Sequence, residues 1–239
     1  MDNALYYLAL NRQVGLRREM DMVANNIANL DTPGFRREGM VFSEFVRRTG
    51  AGESVSMADS GASWASDRPG ELRMTGAPLD MAIEGAGFFL TEGDGEQLLT
   101  RAGSFQRSAE GLVVTPEGRQ LLDAGGAAVF LPPDAGEITL AADGTLAADG
   151  VPLAQIGVYT APPETLERTG GTAFRPTEGV EPLPDGRLVQ GALEMSNVAP
   201  VDEIARLIAV SRAYEQAQTL IRDEDDRLRE TVRTLGEAV

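Results

Sequence analysis

The sequence contains no cysteine and no histidine, and its 21 basic residues are all arginine because lysine is missing too. Without cysteine the chain can form neither disulfides nor thiolate nucleophiles. Without histidine or lysine it lacks the base of a Ser-His-Asp triad, imidazole zinc ligands, Schiff bases and a P-loop lysine. Any catalysis would therefore depend on carboxylates, hydroxyls and arginines.

Positive charge is scarce as well. The 21 basic residues stand against 37 acidic ones, which gives a formal net charge of −16 and a pI of about 4.4. Because a phosphate backbone repels an acidic chain, we expect no nucleic-acid partner. The excess of acid predicts a solvated surface that keeps the chain soluble.

Long apolar runs are also missing. No segment reaches the 18 or so apolar residues that a membrane-spanning helix needs, so the sequence predicts no membrane span. The opening MDNALYYLALNRQVGLRREM lacks the basic, apolar and small-residue regions of a secretory signal peptide. We therefore expect that any export uses another machine and cleaves no signal peptide.

Both ends of the chain have helical periodicity. Apolar residues recur every three or four positions near the N-terminus, with one break at Arg12 or Gln13, which is typical of an amphipathic helix with a narrow apolar seam. That seam is Leu5, Ala9, Leu16, Met20, Val23, Ile27 and Leu30. A heptad seam of about five repeats follows at the C-terminus. Its members are Ile204, Leu207, Ser211, Tyr214, Gln218, Ile221, Asp225, Leu228, Val232 and Leu235.

The middle of the chain has a different pattern. Asp-Gly and Glu-Gly turns recur between short apolar runs such as GFFL and GLVV, which predicts hairpins and an antiparallel β domain. The fold class expected is α+β, with the two terminal helices pairing as a coiled coil. The predicted boundaries are an N-terminal helix over 1–35, a loop or linker over 36–70, the β domain over 71–190 and a C-terminal helix over 191–239.

No chemical motif in the chain singles out an active site. EGAGFF lacks the third glycine of a dinucleotide-binding loop. LDTPG resembles one half of an aspartic-protease pair, but no second copy exists. The run Asp223–Asp226 lacks the alternating spacing of a calcium loop. We expect no catalytic residue, no metal site and no cofactor, although 37 acids leave carboxylate pairs open.

Three segments of the chain resemble signatures of one protein family, and they occur in the order in which that family has them. ANNIANLDTPGFR at 24–36 resembles the N-terminal signature of bacterial flagellar axial proteins of the rod and hook group. LEMSNVAPVDEIARLIAVSRAYE at 193–215 resembles their C-terminal signature, and GELRMTGAPLDMAIEGAGFFL resembles their β-domain pattern. Within the family, the opening and the length most resemble the proximal-rod members, with distal-rod or hook-type members as alternatives.

The resemblance implies a structural subunit of the flagellar basal-body rod in the periplasm, exported by the flagellar type III apparatus and not an enzyme. Other rod proteins would be its partners, and the terminal helices would form the inner layer and drive self-assembly. Together with the seams, the signatures give the residues expected at interfaces. These are Leu16, Met20, Val23, Asn25, Asn26, Ile27, Asn29, Thr32, Gly34, Phe35, Ser196, Asn197, Val198, Ile204, Leu207, Arg212, Tyr214, Glu215, Ile221 and Leu228.

Two other classes of protein stay open. An exported β-rich binding module with a helical stalk would need an exposed aromatic patch, and aromatic residues are only 5% of the chain. A cell-wall hydrolase would need two convergent acids in a cleft. For the asparagines of the N-terminal signature, the seam predicts that Asn25, Asn26 and Asn29 face solvent in a free subunit and contact neighbours in a polymer.

Overall fold

The computed structural model describes the backbone of residues 2–49 and 53–237, with the side chains of 10–40, 64–227, 229–230 and 233–234. The chain divides into two compact units. The first contains the residues up to Ala28, the segment Glu38–Trp64 and the chain from Ala199 onward. The second contains Asn29–Arg37 and Ala65–Val198.

The described residues form two α-helices, eighteen β-strands and one 3₁₀ turn, Pro163–Thr165. In chain order the helices and strands are α1 Asp2–Ala28, β1 Glu38–Thr49, β2 Glu53–Ala65, β3 Leu72–Met74, β4 Met81–Glu84, β5 Phe89–Gly93, β6 Glu96–Thr100, β7 Gln106–Arg107, β8 Val113–Val114, β9 Gln120–Leu121, β10 Ile138–Leu140, β11 Thr145–Ala148, β12 Val151–Gln155, β13 Tyr159–Thr160, β14 Leu166–Gly170, β15 Ala173–Pro176, β16 Glu181–Pro182, β17 Arg187–Gln190, β18 Ala192–Glu194 and α2 Pro200–Glu237.

Helix α2 begins where its sequence favours a helix start. Pro200 occupies the first position, where a missing N–H costs nothing, and Asp202 and Glu203 place negative charge in the first turn. The helix runs for 38 residues, whereas α1 has 27. At 1.5 Å per residue, α2 is therefore longer than α1 by roughly three turns.

The prediction of a coiled coil is wrong. The two helices do contact each other, since Arg206 on α2 forms an ion pair of 2.8 Å with Glu19 on α1. Along α2, however, the buried side chains among those described are Glu203, Val210 and Ala217, while the seam residue Ile204 is 49% exposed. The buried face is thus rotated by one residue from the predicted seam. The apolar pattern did not reveal this face because Glu203 is charged yet buried. In addition, α2 is longer than α1, so α1 cannot pack along its whole length.

The stretch predicted as a loop over 36–70 contains two long strands. Strands β1 and β2 pair with each other in a two-stranded sheet of the first unit. Strand β1 holds the apolar and aromatic run MVFSEFV, which favours a strand. The sequence ESVSMADSGASWA of β2 is rich in small residues and has little β-propensity, so its conformation was missed. Its pairing with β1 supplies what local propensity does not.

The second unit is built from antiparallel strands. A seven-stranded sheet has the order β14-β15-β6-β5-β9-β8-β7, and smaller sheets are β10-β11-β12, β13-β16, β17-β4 and β18-β3. Asp94 and Gly95 link β5 to β6 with positive φ at both positions, as in a tight hairpin turn. The core contains the buried side chains of Met81, Ile83, Phe89, Phe105, Val113, Leu121, Val129, Leu131, Leu146, Ile156, Val158 and Leu188.

The boundaries of this unit differ from those predicted. Residues 29–35 and 191–198, which the sequence analysis assigned to the helical ends, lie in this second, β-rich unit, as do residues 36–37 of the predicted linker. Helix α1 ends at Ala28, and a turn follows in which the Thr32 hydroxyl donates to Oδ1 of Asn29 at 3.1 Å. Each signature motif therefore extends past the end of its helix, and residues 29–36 and 193–198 of the two motifs lie in the second unit.

Candidate assembly site

The N- and C-terminal signatures are joined in the second unit. The Gly34 N–H donates to the carbonyl of Glu194 at 2.7 Å, and the Arg37 N–H donates to Oδ1 of Asn197 at 2.6 Å. The Asn197 N–H donates in return to the carbonyl of Phe35 at 3.4 Å. These bonds join two segments that are 160 residues apart in the sequence. The two motifs thus form one structural feature.

A buried carboxylate with two arginines forms the centre of this feature. Glu194 Oε1 is 2.9 Å from Arg36 Nη2, and Oε2 is 2.6 Å from Arg101 Nη2 and accepts from Arg101 Nε at 2.7 Å. The Gly70 N–H also donates to Oε1 at 3.0 Å. The side chains of Glu194 and Arg101 are each 1% exposed. Removing such charges from water is costly unless each is paired and hydrogen-bonded, as they are here.

The two arginines have further partners on the backbone. Arg101 donates to the carbonyls of Gly87 at 2.6 Å and Gly85 at 2.7 Å. Arg36 donates to the carbonyls of Asp67, at 2.7 Å, and Arg68. Burial lowers the pKa of both guanidinium groups, and the Glu194 carboxylate opposes that shift. Both remain cations at neutral pH, so the cluster of three has a net positive charge.

Contacts between Arg168 and Phe35 also hold the N-terminal signature in place. Its ring is 1% exposed, and the Arg168 guanidinium carbon lies 4.7 Å from its centroid and 4.7 Å from that of Phe174. Arg168 Nη2 also donates to the carbonyl of Arg36 at 2.6 Å. Cation–π contacts of this kind favour a fixed position for both rings.

A second cluster surrounds Asn26 in the first unit. The Asn26 side chain is fully buried, its Nδ2 donates to the Glu38 carbonyl at 2.9 Å, and its Oδ1 accepts from the Glu38 N–H at 2.9 Å. The same Nδ2 lies 3.4 Å from Oε2 of buried Glu203. The expectation that Asn26 faces solvent is therefore wrong. Neighbouring Asn25 is exposed and donates to the Glu38 carboxylate at 3.2 Å.

The remaining residues expected at interfaces have mixed exposure. Asn26, Val23, Gly34, Phe35 and Val198 are buried. Those of intermediate exposure are Leu16, Met20, Ile27, Asn29, Thr32, Ser196, Asn197, Leu207, Tyr214 and Ile221. Asn25, Ile204, Arg212 and Glu215 are exposed, and the side chain of Leu228 lies outside the described residues.

Sequence reasoning missed the charged members of both clusters. Arg36, Arg101, Glu194 and Glu203 were not among the expected site residues, although three of them lie within the quoted signatures. A signal was present, because Arg101 and Glu194 each interrupt an otherwise apolar or small-residue run, LLTRAGSF and GALEMSNV. A lone charge in such a run favours a buried ion pair, but the sequence does not name its partner.

The first unit also presents apolar side chains to solvent. On α2, Val201 is 78% exposed, and Ile204 and Ile208 are each 49% exposed. Their spacing of three and four places them along one side of the helix. On α1, Leu10 and Val14 are exposed as well. We call Val201, Ile204 and Ile208 the α2 stripe.

The described residues were also compared with the requirements of a membrane span and of a metal site. Within the part of the chain that the structure describes, neither helix combines the length and apolar character needed to cross a membrane. In the same residues no three or more acidic side chains are grouped so that they could hold a metal ion.

Three family models match the chain in sequence order. Residues 7–36 match the model of the flagella basal body rod protein. Residues 82–148 match the D1 domain of the flagellar hook protein FlgE/F/G, and residues 189–234 match the C-terminal part of the flagellar basal body rod FlgEFG protein. Arg36, Arg101 and Glu194 thus lie in the first, second and third of these matched segments, respectively.

Similar proteins match over almost the whole length. The flagellar basal-body rod protein FlgF of Mesorhizobium japonicum is 38% identical over 96% of this chain and 97% of its own. FlgF of Caulobacter vibrioides is 37% identical over 99% of both chains. The flagellar basal-body rod protein FlgG of Bacillus subtilis is 30% identical over 95% of this chain and 97% of its own. The chain therefore belongs to the family of flagellar basal-body rod proteins, which are structural proteins and not enzymes.

Proposed function

We propose that this chain is a structural subunit of the proximal part of the flagellar basal-body rod, of the FlgF type, and that it assembles through its terminal helices. Family membership supports the rod role, and the identities of 38% and 37% to the FlgF proteins of Mesorhizobium japonicum and Caulobacter vibrioides, against 30% to FlgG of Bacillus subtilis, support the type. The observation that carries the assembly mode is the α2 stripe.

The stripe favours assembly because a folded subunit leaves it in water. Glu203, Val210 and Ala217 form the buried face of α2, and Arg206 is held by Glu19 of α1. The α2 stripe lies outside that face, so its apolar area is free for a neighbouring chain. Burying three such side chains contributes roughly 1–2 kcal/mol each, and the gain repeats at every subunit of a polymer.

The proposal includes further features that the resemblance to rod proteins suggests. The subunit lies in the periplasmic rod, its partners are other rod proteins, and the flagellar type III apparatus exports it. Torque passes through the helices of neighbouring subunits. The joined signatures support a structural role because they fix residues 34–37 and 194–197 to each other within the second unit.

Substitution on the stripe tests the assembly mode. We expect Ile204→Arg with Ile208→Arg to leave the subunit folded and exported but excluded from basal bodies, with loss of motility. Val151→Arg is the matched control, because Val151 is a similarly exposed apolar residue on β12 of the β-rich unit. Circular dichroism checks folding, and immunoblots of purified basal bodies measure incorporation. Normal motility of the double variant would contradict assembly through α2.

A distal-rod role of the FlgG type is the second candidate, since FlgG of Bacillus subtilis matches over nearly the whole chain. Complementation separates the two types. We expect this chain to restore motility to a strain of its own species that lacks it while FlgG is intact. Restoration of a strain lacking only FlgG would favour the distal-rod type instead.

A further inference from the structure

We propose that Glu194 acts as a closure latch, so that residues 34–37 dock on the β-rich unit only after residues 194–197 are in place. The latch is a property of the chain's own folding and does not depend on the rod function. Its value for a subunit that is exported unfolded does rest on the proposed function.

The first support is the backbone of the N-terminal segment. The Gly34 N–H, the Phe35 carbonyl and the Arg37 N–H all bond to Glu194 or Asn197. Buried backbone groups need partners, and here the partners come from a segment near the other end of the chain. If residues 34–37 docked without residues 194–197, these three backbone groups would have no partner for the hydrogen bonds given above.

The second support is the binding site of the Arg36 side chain. Arg36 donates to the carbonyls of Asp67 and Arg68, and residues 68–71 are themselves held by the C-terminal signature. The Gly70 N–H bonds to Glu194, Asn197 Nδ2 donates to the Arg68 carbonyl at 2.7 Å, and the Met195 N–H donates to the Glu71 carbonyl at 2.8 Å. The site for Arg36 is thus assembled by residues 194–197.

The third support is charge. Arg36 and Arg101 both form ion pairs with Glu194. Burial is the main cause that lowers the pKa of Arg36, and the neighbouring Arg101 cation lowers it further. Docking of Arg36 before Glu194 arrives would bring two guanidinium groups together in a buried place without the carboxylate that bridges them. Such an unpaired arrangement is strongly unfavourable. Glu194 therefore sets the order of the two events.

Residues 34–37 also have contacts that do not involve residues 194–197. The Arg168 guanidinium packs on the Phe35 ring and donates to the Arg36 carbonyl, and the Ser66 N–H donates to the Arg37 carbonyl at 2.8 Å. Glu194 supplies the larger negative charge at Arg36, in an ion pair of 2.9 Å, and Asp67 supplies a smaller one. In a chain made from N- to C-terminus, the N-terminal signature consequently stays undocked until the last fifth of the chain is available.

Pulsed hydrogen exchange during refolding of the full chain tests this order. The Gly34 and Arg37 amides report docking, the Met195 amide reports arrival of the C-terminal signature, and the Leu122 and Val129 amides report the core. We expect Gly34 and Arg37 to gain protection together with Met195 and after Leu122 and Val129. Protection of Gly34 and Arg37 before Met195 would overturn the latch.

Two variants of the full chain test the latch at equilibrium. Glu194→Gln keeps the shape but removes the charge, and we expect protection at Gly34 and Arg37 to fall at least about tenfold while Leu122 and Val129 change much less. If this variant does not fold, Asn197→Ala serves in its place, since it removes the Arg37 acceptor and leaves the ion cluster intact. The exposed Glu96→Gln is the control. Equal loss at all four amides, or no loss at Gly34 and Arg37, would overturn the proposal.

Discussion

The side-chain amide of Asn26 bonds to both the N–H and the carbonyl of Glu38, as the backbone of a neighbouring strand would. Helix α1 is thereby fixed to the start of β1, and Oε2 of Glu203 brings in the first turn of α2. Only a short side chain with a donor and an acceptor in one plane can make this pair of bonds. The asparagine thus has a structural role within the subunit.

Loss of the Asn26 amide should destabilise the first unit. In Asn26→Ala the Glu38 N–H and carbonyl lose their buried partner, and we expect the free energy of unfolding to fall by roughly 2 kcal/mol or more. Asn25→Ala is the matched control, because Asn25 is exposed and its bond to Glu38 lies at the surface. Urea denaturation followed by circular dichroism measures both. A fall of similar size in the two variants would show that burial of Asn26 is unimportant.

The buried arginine should matter far more than an exposed one. Arg101→Met leaves one carboxylate and three backbone carbonyls without their donor, and we expect a loss of about 3–5 kcal/mol in the free energy of unfolding. Arg175→Met removes an ion pair with Glu96 in which both side chains are about half exposed, so we expect a loss of less than about 1 kcal/mol. Thermal denaturation compares them. Equal stability of the two variants is the contrary result.

Gly34 should tolerate no side chain. Its φ is +72°, and a Cβ atom there would lie 2.2 Å from the backbone nitrogen of Ala102. Gly118 has a φ of +86° but open space around it, so Gly118→Ala should cost only the conformational strain of about 1–2 kcal/mol. We expect Gly34→Ala to destabilise the β-rich unit clearly more. Matched denaturation curves would refute the close approach to Ala102.

Acid should loosen the loop before β10 through Asp149. The Gly136 and Glu137 N–H groups donate to its two carboxylate oxygens at 2.9 and 3.0 Å, and these bonds hold its pKa below the ordinary 3.8. Because the pKa of Asp149 is lower in the folded chain than in the unfolded chain, its carboxylate stabilises the fold at pH values above the pKa of the unfolded chain. That stabilisation is lost as the pH falls through the pKa of the folded chain. We expect the Gly136 and Glu137 amide signals in NMR spectra to shift in that range. In Asp149→Asn these two amide signals should no longer shift with pH in this range. If they still shift, another group is responsible for the change.

The sequence is informative where a local pattern decides the structure. The Asp-Gly turns predict hairpins such as β5–β6, and the three-and-four spacing of apolar residues predicts helices at both ends. Local patterns could not place β2, whose conformation depends on its pairing with β1. They could not reveal the buried face of α2, because Glu203 looks like a solvent-exposed charge.

The candidate site was predicted only in part, and for a similar reason. The signatures identify Gly34, Phe35 and Asn197, but the residue that joins them is a glutamate bonded to arginines far away in the sequence. A charged residue can be predicted to be buried only when its ion-pair partners are known. Pairing between distant residues therefore had to come from the structure.

Composition analysis of basal bodies tests the central claim most directly. Basal bodies purified from the bacterium that makes this chain, and from a strain deleted for it, are examined by quantitative mass spectrometry and electron microscopy. We predict several copies of the chain per basal body in the first strain, and incomplete rods with loss of motility in the second. Complete rods in the deleted strain, with no trace of the chain in the basal bodies of its parent, would contradict the assignment as a rod subunit.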